Sequence, residues 1–295
     1  MEYLQHIQRA VNYIETHLAD ELAVDAVARV AGLSRWHFQI IFHAMVGDTL
    51  AEYIRKRRLT AAAIALGATK SRVIEIALEA GFGSQESFTR AFKTMFGVPP
   101  GECRRCGLKA VMIRHKPKIT RSYLNHLYQH ITMKPVIKHI GKFKVIGLDA
   151  RFISAVSPDA DNFRIIPPLW EKFLKRLPEI KGLTARVQYG VVVCLDERAK
   201  KAHPDEMLYM ACAPVKASTT APRGMKSLII PAGEYAVFTH KGPVANLGHT
   251  LNYIYASWLP KSGRTLRAAP HLEMLDARFK PDAKDSEMDV CVPVA

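Results

Sequence analysis

The sequence predicts a multidomain chain, an all-α N-terminal domain with two helix-turn-helix motifs followed by an α+β domain of two βαββ repeats. Three observations predict it. One helical pattern occurs twice, fifty residues apart; each copy follows a short helix ending at glycine; and a second, weaker repeat fills the later part of the chain.

The first pattern begins at Ser34 and stops at Gly47; its second copy begins at Ser84 and stops at Gly97. Phe38, Ile41, Phe42 and Met45 correspond to Phe88, Ala91, Phe92 and Met95, an i, i+3, i+4, i+7 stripe that buries one helix face. Serine supplies a side-chain acceptor for a helix start, and glycine accepts the left-handed conformation at a helix end. The opposite faces carry Arg35, Trp36, Gln39, Ile40 and His43 in one copy, and Gln85, Glu86, Thr89, Arg90 and Lys93 in the other. Such side chains suit base edges and phosphates. Residues 22–32 and 71–81 read as the preceding short helices, with Ala28 and Ala77 where the crossing helices approach closely. A helix, a glycine turn and a second helix form the unit whose second helix enters a DNA major groove. The competing reading is an all-α bundle of two similar helix pairs with no role on DNA.

Between the two units, Thr49 and Glu52 form a capping box that starts a long helix over about 50–66. It carries the tightest basic cluster, Arg55, Lys56, Arg57 and Arg58. The formal charge of +15 favours a polyanionic partner, yet it splits into +7 for residues 1–130 and +8 for 131–295, so local placement decides. No signal peptide and no apolar run of about 18–20 residues is evident, which predicts a cytoplasmic protein with no membrane partner. Five scattered cysteines do not form a disulfide framework. Cys103 and Cys106 make a lone C-x-x-C with only His115 close by, and read as ordinary cysteines at a helix end rather than as a zinc or redox pair. No metal, cofactor or catalytic constellation is predicted.

Residues 32–39 and 76–93 carry a specific resemblance: residues 1–108 resemble the DNA-binding domain of the AraC/XylS family of bacterial transcription regulators. The resemblance implies seven helices, two helix-turn-helix motifs on a linker helix, and two recognition helices in successive major-groove segments of double-stranded DNA. It implies base or backbone contacts from Trp36, Gln39, Gln85, Thr89 and Arg90. Three positions depart from the nearest relatives: Ile40 replaces an arginine, Glu86 a common glutamine, and Cys103 a tyrosine. The operator sequence therefore does not transfer.

Residues 109–133, with Lys109, Arg114, Lys116, Lys118 and Arg121, read as a basic linker. The second repeat follows: 143–148 parallels 235–240 as strands, 169–178 parallels 251–260 as helices stopped by proline, 195–198 parallels 275–278, and 210–215 parallels 289–294 as strands. Two units that each expose one apolar face are expected to share a sheet, with a ligand seam between them. Residues 134–295 resemble the GyrI-like effector-binding domain, on 232–238, on Lys241, Gly242 and Pro243, and on Trp258, Leu259 and Pro260. That resemblance implies that Glu273 faces a pocket and pairs with cationic, often amphiphilic ligands; Leu275 stands where the family usually has tyrosine. Trp258, Tyr235, Trp170 and Tyr253 are candidate walls, with plain core packing the alternative for each.

The combined expectation is a DNA-binding transcriptional activator that senses a small hydrophobic or cationic effector and contacts RNA polymerase on the bacterial nucleoid. Two alternatives concern the C-terminal domain. It could be a small-molecule hydrolase, although His240, His249 and His271 are scattered and no triad or carboxylate pair is visible, or a protein-docking module.

Overall fold

The computed structural model describes residues 2–106, 133–157, 159–195, 199–201 and 203–295. The chain divides into two compact units, Met1–Asn125 and His126–Ala295. The basic connection expected at 109–133 lies, apart from Met133, outside the described residues, as do positions 196–198 of the second repeat.

The first unit runs α1 (Glu2–Thr16), α2 (Val24–Ala31), α3 (Arg35–Val46), α4 (Leu50–Ala68), α5 (Val73–Glu79), α6 (Gln85–Phe96) and α7 (Pro100–Cys106). The capping residues act as expected. Ser34 accepts from the His37 backbone N–H and Ser84 from that of Ser87, while Gly47 (φ 83°) and Gly97 (φ 79°) end the two helices in the left-handed region. The apolar stripes are fully enclosed at Phe38, Ile41, Phe42 and Met45, and at Phe88 and Phe92. Ala28 and Ala77 are buried, so α2 and α5 approach their partners without a side chain between. Cys103 packs with Leu66, Phe88 and Phe92 in the core of the second half, and α7 ends at Cys106. At position 103 the thiol side chain therefore works as a small apolar filler.

Helix α4 joins the two halves and is fastened at its start. Thr49 N–H donates to Glu52 Oε2 (2.9 Å), and Glu52 N–H donates to Thr49 Oγ1 (3.3 Å). Three members of its basic cluster are engaged inside the unit. Lys56 pairs with Asp48 at 2.6 Å. Arg57 grips Glu15 through Nε (2.7 Å) and Nη2 (2.8 Å), and Tyr53 Oη donates to the same carboxylate at 2.6 Å. Arg58 donates to two carbonyls, those of Leu18 and Asp20. Arg55 remains exposed. A basic run that reads as a DNA patch is thus mostly scaffold.

The second unit holds β1 (Val136–Ile140), β2 (Phe143–Ile153), α8 (Asn162–Arg176), β3 (Gln188–Cys194), β4 (Glu206–Val215), β5 (Lys226–Ile230), β6 (Gly233–Lys241), α9 (Leu247–Tyr253), β7 (His271–Leu275) and β8 (Glu287–Pro293). Helix α9 continues through a π-helical stretch, Ile254–Trp258, into α10 (Leu259–Ser262). All eight strands form one antiparallel sheet in the order β1-β6-β8-β7-β3-β4-β2-β5. The strand-helix-strand-strand order appears twice, as expected, and the halves meet where β3 pairs with β7. Each repeat also has a leading edge strand that pairs with the other half: β1 with β6, and β5 with β2. Neither repeat is complete without the other. Helix α8 begins seven residues before the expected 169 and includes Pro167 and Pro168. Each proline removes an N–H donor from the helix ladder, which is why its sequence signal is weak there.

Arg57→Met leaves the Glu15 carboxylate largely enclosed without its cation and is expected to cost about 2–3 kcal/mol of unfolding free energy, below the value for a fully buried pair because both partners are slightly exposed. Thr49→Ala removes one cap and is expected to cost about 1 kcal/mol. Urea unfolding of both variants checks the ranking; an Arg57 cost no larger than the cap's would reduce the Glu15 cluster to a surface ion pair.

Candidate functional site

The two candidate reading helices differ in exposure. On α6, Gln85, Glu86, Arg90 and Lys93 are exposed and Thr89 is half-buried, so their polar groups are open to a partner. On α3 the face is largely occupied. Arg35 pairs with Asp25 of α2 at 2.6 Å with its side chain only 12% exposed. Trp36, Ile40 and His43 are half-buried, and Gln39 is buried at 7% exposure. This corrects the expectation of an open polar face on α3. Gln39 is also partnered, so it reaches a base only by exchanging its present contact for one in the groove. Burial pushes the neighbouring His37 down to about 4, which keeps its imidazole neutral near pH 7.

In the second unit, strand alternation sorts the candidates by face. Glu273 of β7 pairs with Gly190 of β3 on one side and Val290 of β8 on the other; Val290 pairs in turn with Phe238. Tyr209 lies on the same face, since it pairs with Val192, two residues from Gly190 along β3. Both long helical segments cover this face. Trp170 of α8 donates its indole N–H to Tyr209 Oη at 3.0 Å, and Trp258 packs edge-on against Phe238 with ring centroids 5.0 Å apart. Tyr255 and His271 are joined at 3.1 Å on the same face.

At its centre runs a hydrogen-bonded chain. Trp170 Nε1–H donates to Tyr209 Oη, whose proton goes to Glu273 Oε2 at 2.6 Å. Burial raises the Glu273 carboxyl above the usual carboxylate range, and the Tyr209 hydrogen bond opposes part of that rise. Burial, then the facing Glu273 charge, holds the Tyr209 phenol well above its ordinary value, so it stays a donor. Among the described residues Glu273 has no cationic partner. Gly190 makes room for the pair: a Cβ there would collide with Tyr209 Oη and stand 2.7 Å from Glu273 Oε2. A half-buried carboxylate held by one neutral donor in an aromatic setting can accept an organic cation by charge pairing and cation–π contact. No group of His, Cys, Asp or Glu side chains among the described residues could hold a metal ion.

The candidate walls divide. Trp170 joins Glu273 through Tyr209, and Trp258 shares its face. Tyr253 is buried and donates to the Met133 carbonyl at 3.2 Å, which ties α9 to the start of the unit. Tyr235 is a correction. It shares the opposite face with Val237, Leu272 and Cys291, where Arg267 stacks over its ring, because its odd position on β6 points away from Phe238 and Glu273. Sequence reading missed Tyr209 and Gly190. Both sit in β-rich apolar runs, where no local signal distinguishes a neighbour of Glu273 from any other core residue.

A raised Glu273 makes a signed prediction. The folded chain retains this proton at pH values where the unfolded chain, with the ordinary value of 4.5, has lost it. Glu273 therefore does not penalise folding below pH 4.5, and its contribution becomes unfavourable as pH rises from there towards the folded value and stays so above it. Glu273→Gln is expected to gain stability relative to the parent chain as pH goes from about 4.5 to 7.5. Parallel urea-unfolding curves for the two proteins over that range would sink the assignment.

Comparison with known proteins places these features. Residues 27–105 match a helix-turn-helix domain family, and residues 133–295 match the GyrI-like small molecule binding domain. The transcriptional regulator Rob of Salmonella typhimurium is 27% identical over 265 residues, covering 88% of this chain and 86% of Rob. The right origin-binding protein of Escherichia coli K12 is 27% identical over 281 residues, 94% of this chain and 92% of its own length. The regulatory protein SoxS of Salmonella typhimurium is 38% identical over 104 residues, 35% of this chain and 97% of SoxS. No helix among the described residues is long and apolar enough to cross a membrane. The chain belongs to the AraC/XylS family of transcriptional regulators and carries a GyrI-like small-molecule binding domain.

Proposed function

We propose that this regulator is a sequence-specific activator that places α3 and α6 in neighbouring major-groove segments and senses a lipophilic organic cation at Glu273. The observation that carries the sensing half is the Glu273 carboxylate, half-buried beneath helices and hydrogen-bonded, among the described residues, by Tyr209 alone. The exposed Gln85, Arg90 and Lys93 on α6 support the DNA half. In this reading residues 1–108 bind DNA, 109–133 connect, and 134–295 sense. Base contacts come from Trp36 and Gln39 on α3 and from Gln85, Thr89 and Arg90 on α6, with Arg35, His43 and Lys93 at phosphates. Ile40 offers an apolar contact to a thymine methyl, and Glu86 an acceptor to cytosine N4. Activation then follows from contact with RNA polymerase at the promoter, in the bacterial cytoplasm.

Fluorescence anisotropy on promoter DNA tests the first half. Binding should weaken steeply as salt rises, and Arg90→Ala should lose about 1–3 kcal/mol on a specific site. Unchanged affinity in that variant would remove α6 from the groove. Thermal shift with a benzyl-alkyl-dimethylammonium probe tests the second half. At a hundredfold excess over Kd a ligand stabilises by about 2.7 kcal/mol, and Glu273→Gln should abolish that gain. Equal stabilisation of both proteins would move the site elsewhere.

A further inference from the structure

A groove of about 560 Å³ opens within the first unit, with Leu22 on one wall, Ala80, Gly81 and Phe82 on another, and Arg55 and Arg58 rising from α4. One wall belongs to the segment that leads into α2, the other to the turn that leads from α5 into α6. The first is part of the N-terminal helix-turn-helix, the second of the C-terminal one. Arg58 spans the two. Its Nε donates to the Leu18 carbonyl at 2.7 Å and its Nη2 to the Asp20 carbonyl at 2.7 Å, just beyond the end of α1. Its remaining nitrogen lies against Gly81: a Cβ added there would stand 2.6 Å from Nη1 and 3.2 Å from Cζ. Gly81 has φ 76°, a conformation an L side chain rarely adopts, so the turn both needs glycine and leaves the guanidinium its seat.

The neighbouring cations do not do this. Lys56 and Arg57 make their ion pairs with Asp48 and Glu15, both in the N-terminal half. Without such a brace, the separation of α3 and α6 would rest on α4 and on the short segments Gly47–Thr49 and 69–72 that flank it. A planar guanidinium with fixed donor directions can hold two carbonyls through two nitrogens and set a third nitrogen against another element; a lysine ammonium, a single nitrogen, has no such third point.

We propose that Arg58 is a positioning residue that fixes the separation of the two reading helices, and so sets which spacing of two half-sites on DNA the protein accepts. The inference rests on the reading that α3 and α6 share one duplex. Adjacent major-groove segments on one face recur every turn, roughly 10–10.5 base pairs, so a rigid pair tolerates little change of spacing. One chain carries both helices, so the second insertion is intramolecular, and looseness lowers the effective concentration of the second helix at its segment.

The test uses the full chain. Sites are first selected from randomised duplex DNA with the wild-type protein, and one base pair is then inserted or deleted between the two protected segments. Wild type is expected to lose more than tenfold in affinity on either altered site. Arg58→Ala should weaken about tenfold on the selected site but discriminate among the three spacings by no more than threefold. Arg58→Lys, which keeps the charge without the fork, should resemble the alanine variant. A lost phosphate contact or a partly unfolded population would lower all three spacings alike, so a variant that keeps the wild-type ratio overturns the proposal. Should Arg58→Ala fail to fold, Gly81→Ala displaces the guanidinium while keeping its charge, and a wild-type ratio in that protein also overturns it. Wild type that binds selected DNA with no spacing preference defeats this inference alone; wild type that binds no DNA defeats the functional reading with it.

Discussion

Taking a carboxylate out of water demands a matching set of donors, and the two units meet that demand in opposite ways. Glu15 receives Tyr53 Oη and both side-facing nitrogens of Arg57. Its charge is neutralised in place, and the result is a fixed joint between α1 and α4. Glu273 receives one phenol proton and, among the described residues, no cation. Burial therefore raises the carboxyl pKa, and the Tyr209 hydrogen bond opposes only part of that rise. The same physical cost is met by a full set of donors in one unit and by a single phenol in the other.

The sheet explains why a lone acid can be held so closely. The two repeats pair through β3 and β7, so that junction is the middle of an eight-stranded sheet rather than an edge. Strand pairing fixes Gly190 opposite Glu273 to within a residue, and a one-residue slip would send the carboxylate to the face that holds Tyr235. The repeat symmetry is broken where chemistry requires it. Tyr209 comes from the first repeat and Glu273 from the second, so the pair exists only when both halves have assembled.

In the helical unit the duplicated pattern conceals an unequal pair. Helix α6 presents its polar groups to solvent, whereas Gln39 of α3 is covered and partnered and Arg35 is held by Asp25. Any new contact through α3 would exchange existing contacts for new ones, while α6 would start from hydrated groups. The net energy of such an exchange is smaller than a count of the polar side chains on α3 suggests.

The sequence by itself determined what depends on near neighbours. Helix caps at Ser34, Thr49 and Ser84, the left-handed stops at Gly47 and Gly97, the apolar stripes of α3 and α6, and the β-rich runs of β2 and β6 are all set by residues within a few positions of one another. The strand-helix-strand-strand repeat was legible for the same reason, and family likeness pointed to Glu273. Tertiary structure alone decided which side of the sheet an aromatic faces, and so separated Trp170 from Tyr235. It also decided which cations of Arg55, Lys56, Arg57 and Arg58 are consumed internally, and that Tyr209 and Gly190 belong beside Glu273. The hydrogen bonds of Arg57, Arg58, Trp170 and Tyr209 among them join residues 38 to 64 positions apart, and nothing local to either partner encodes the distance between them.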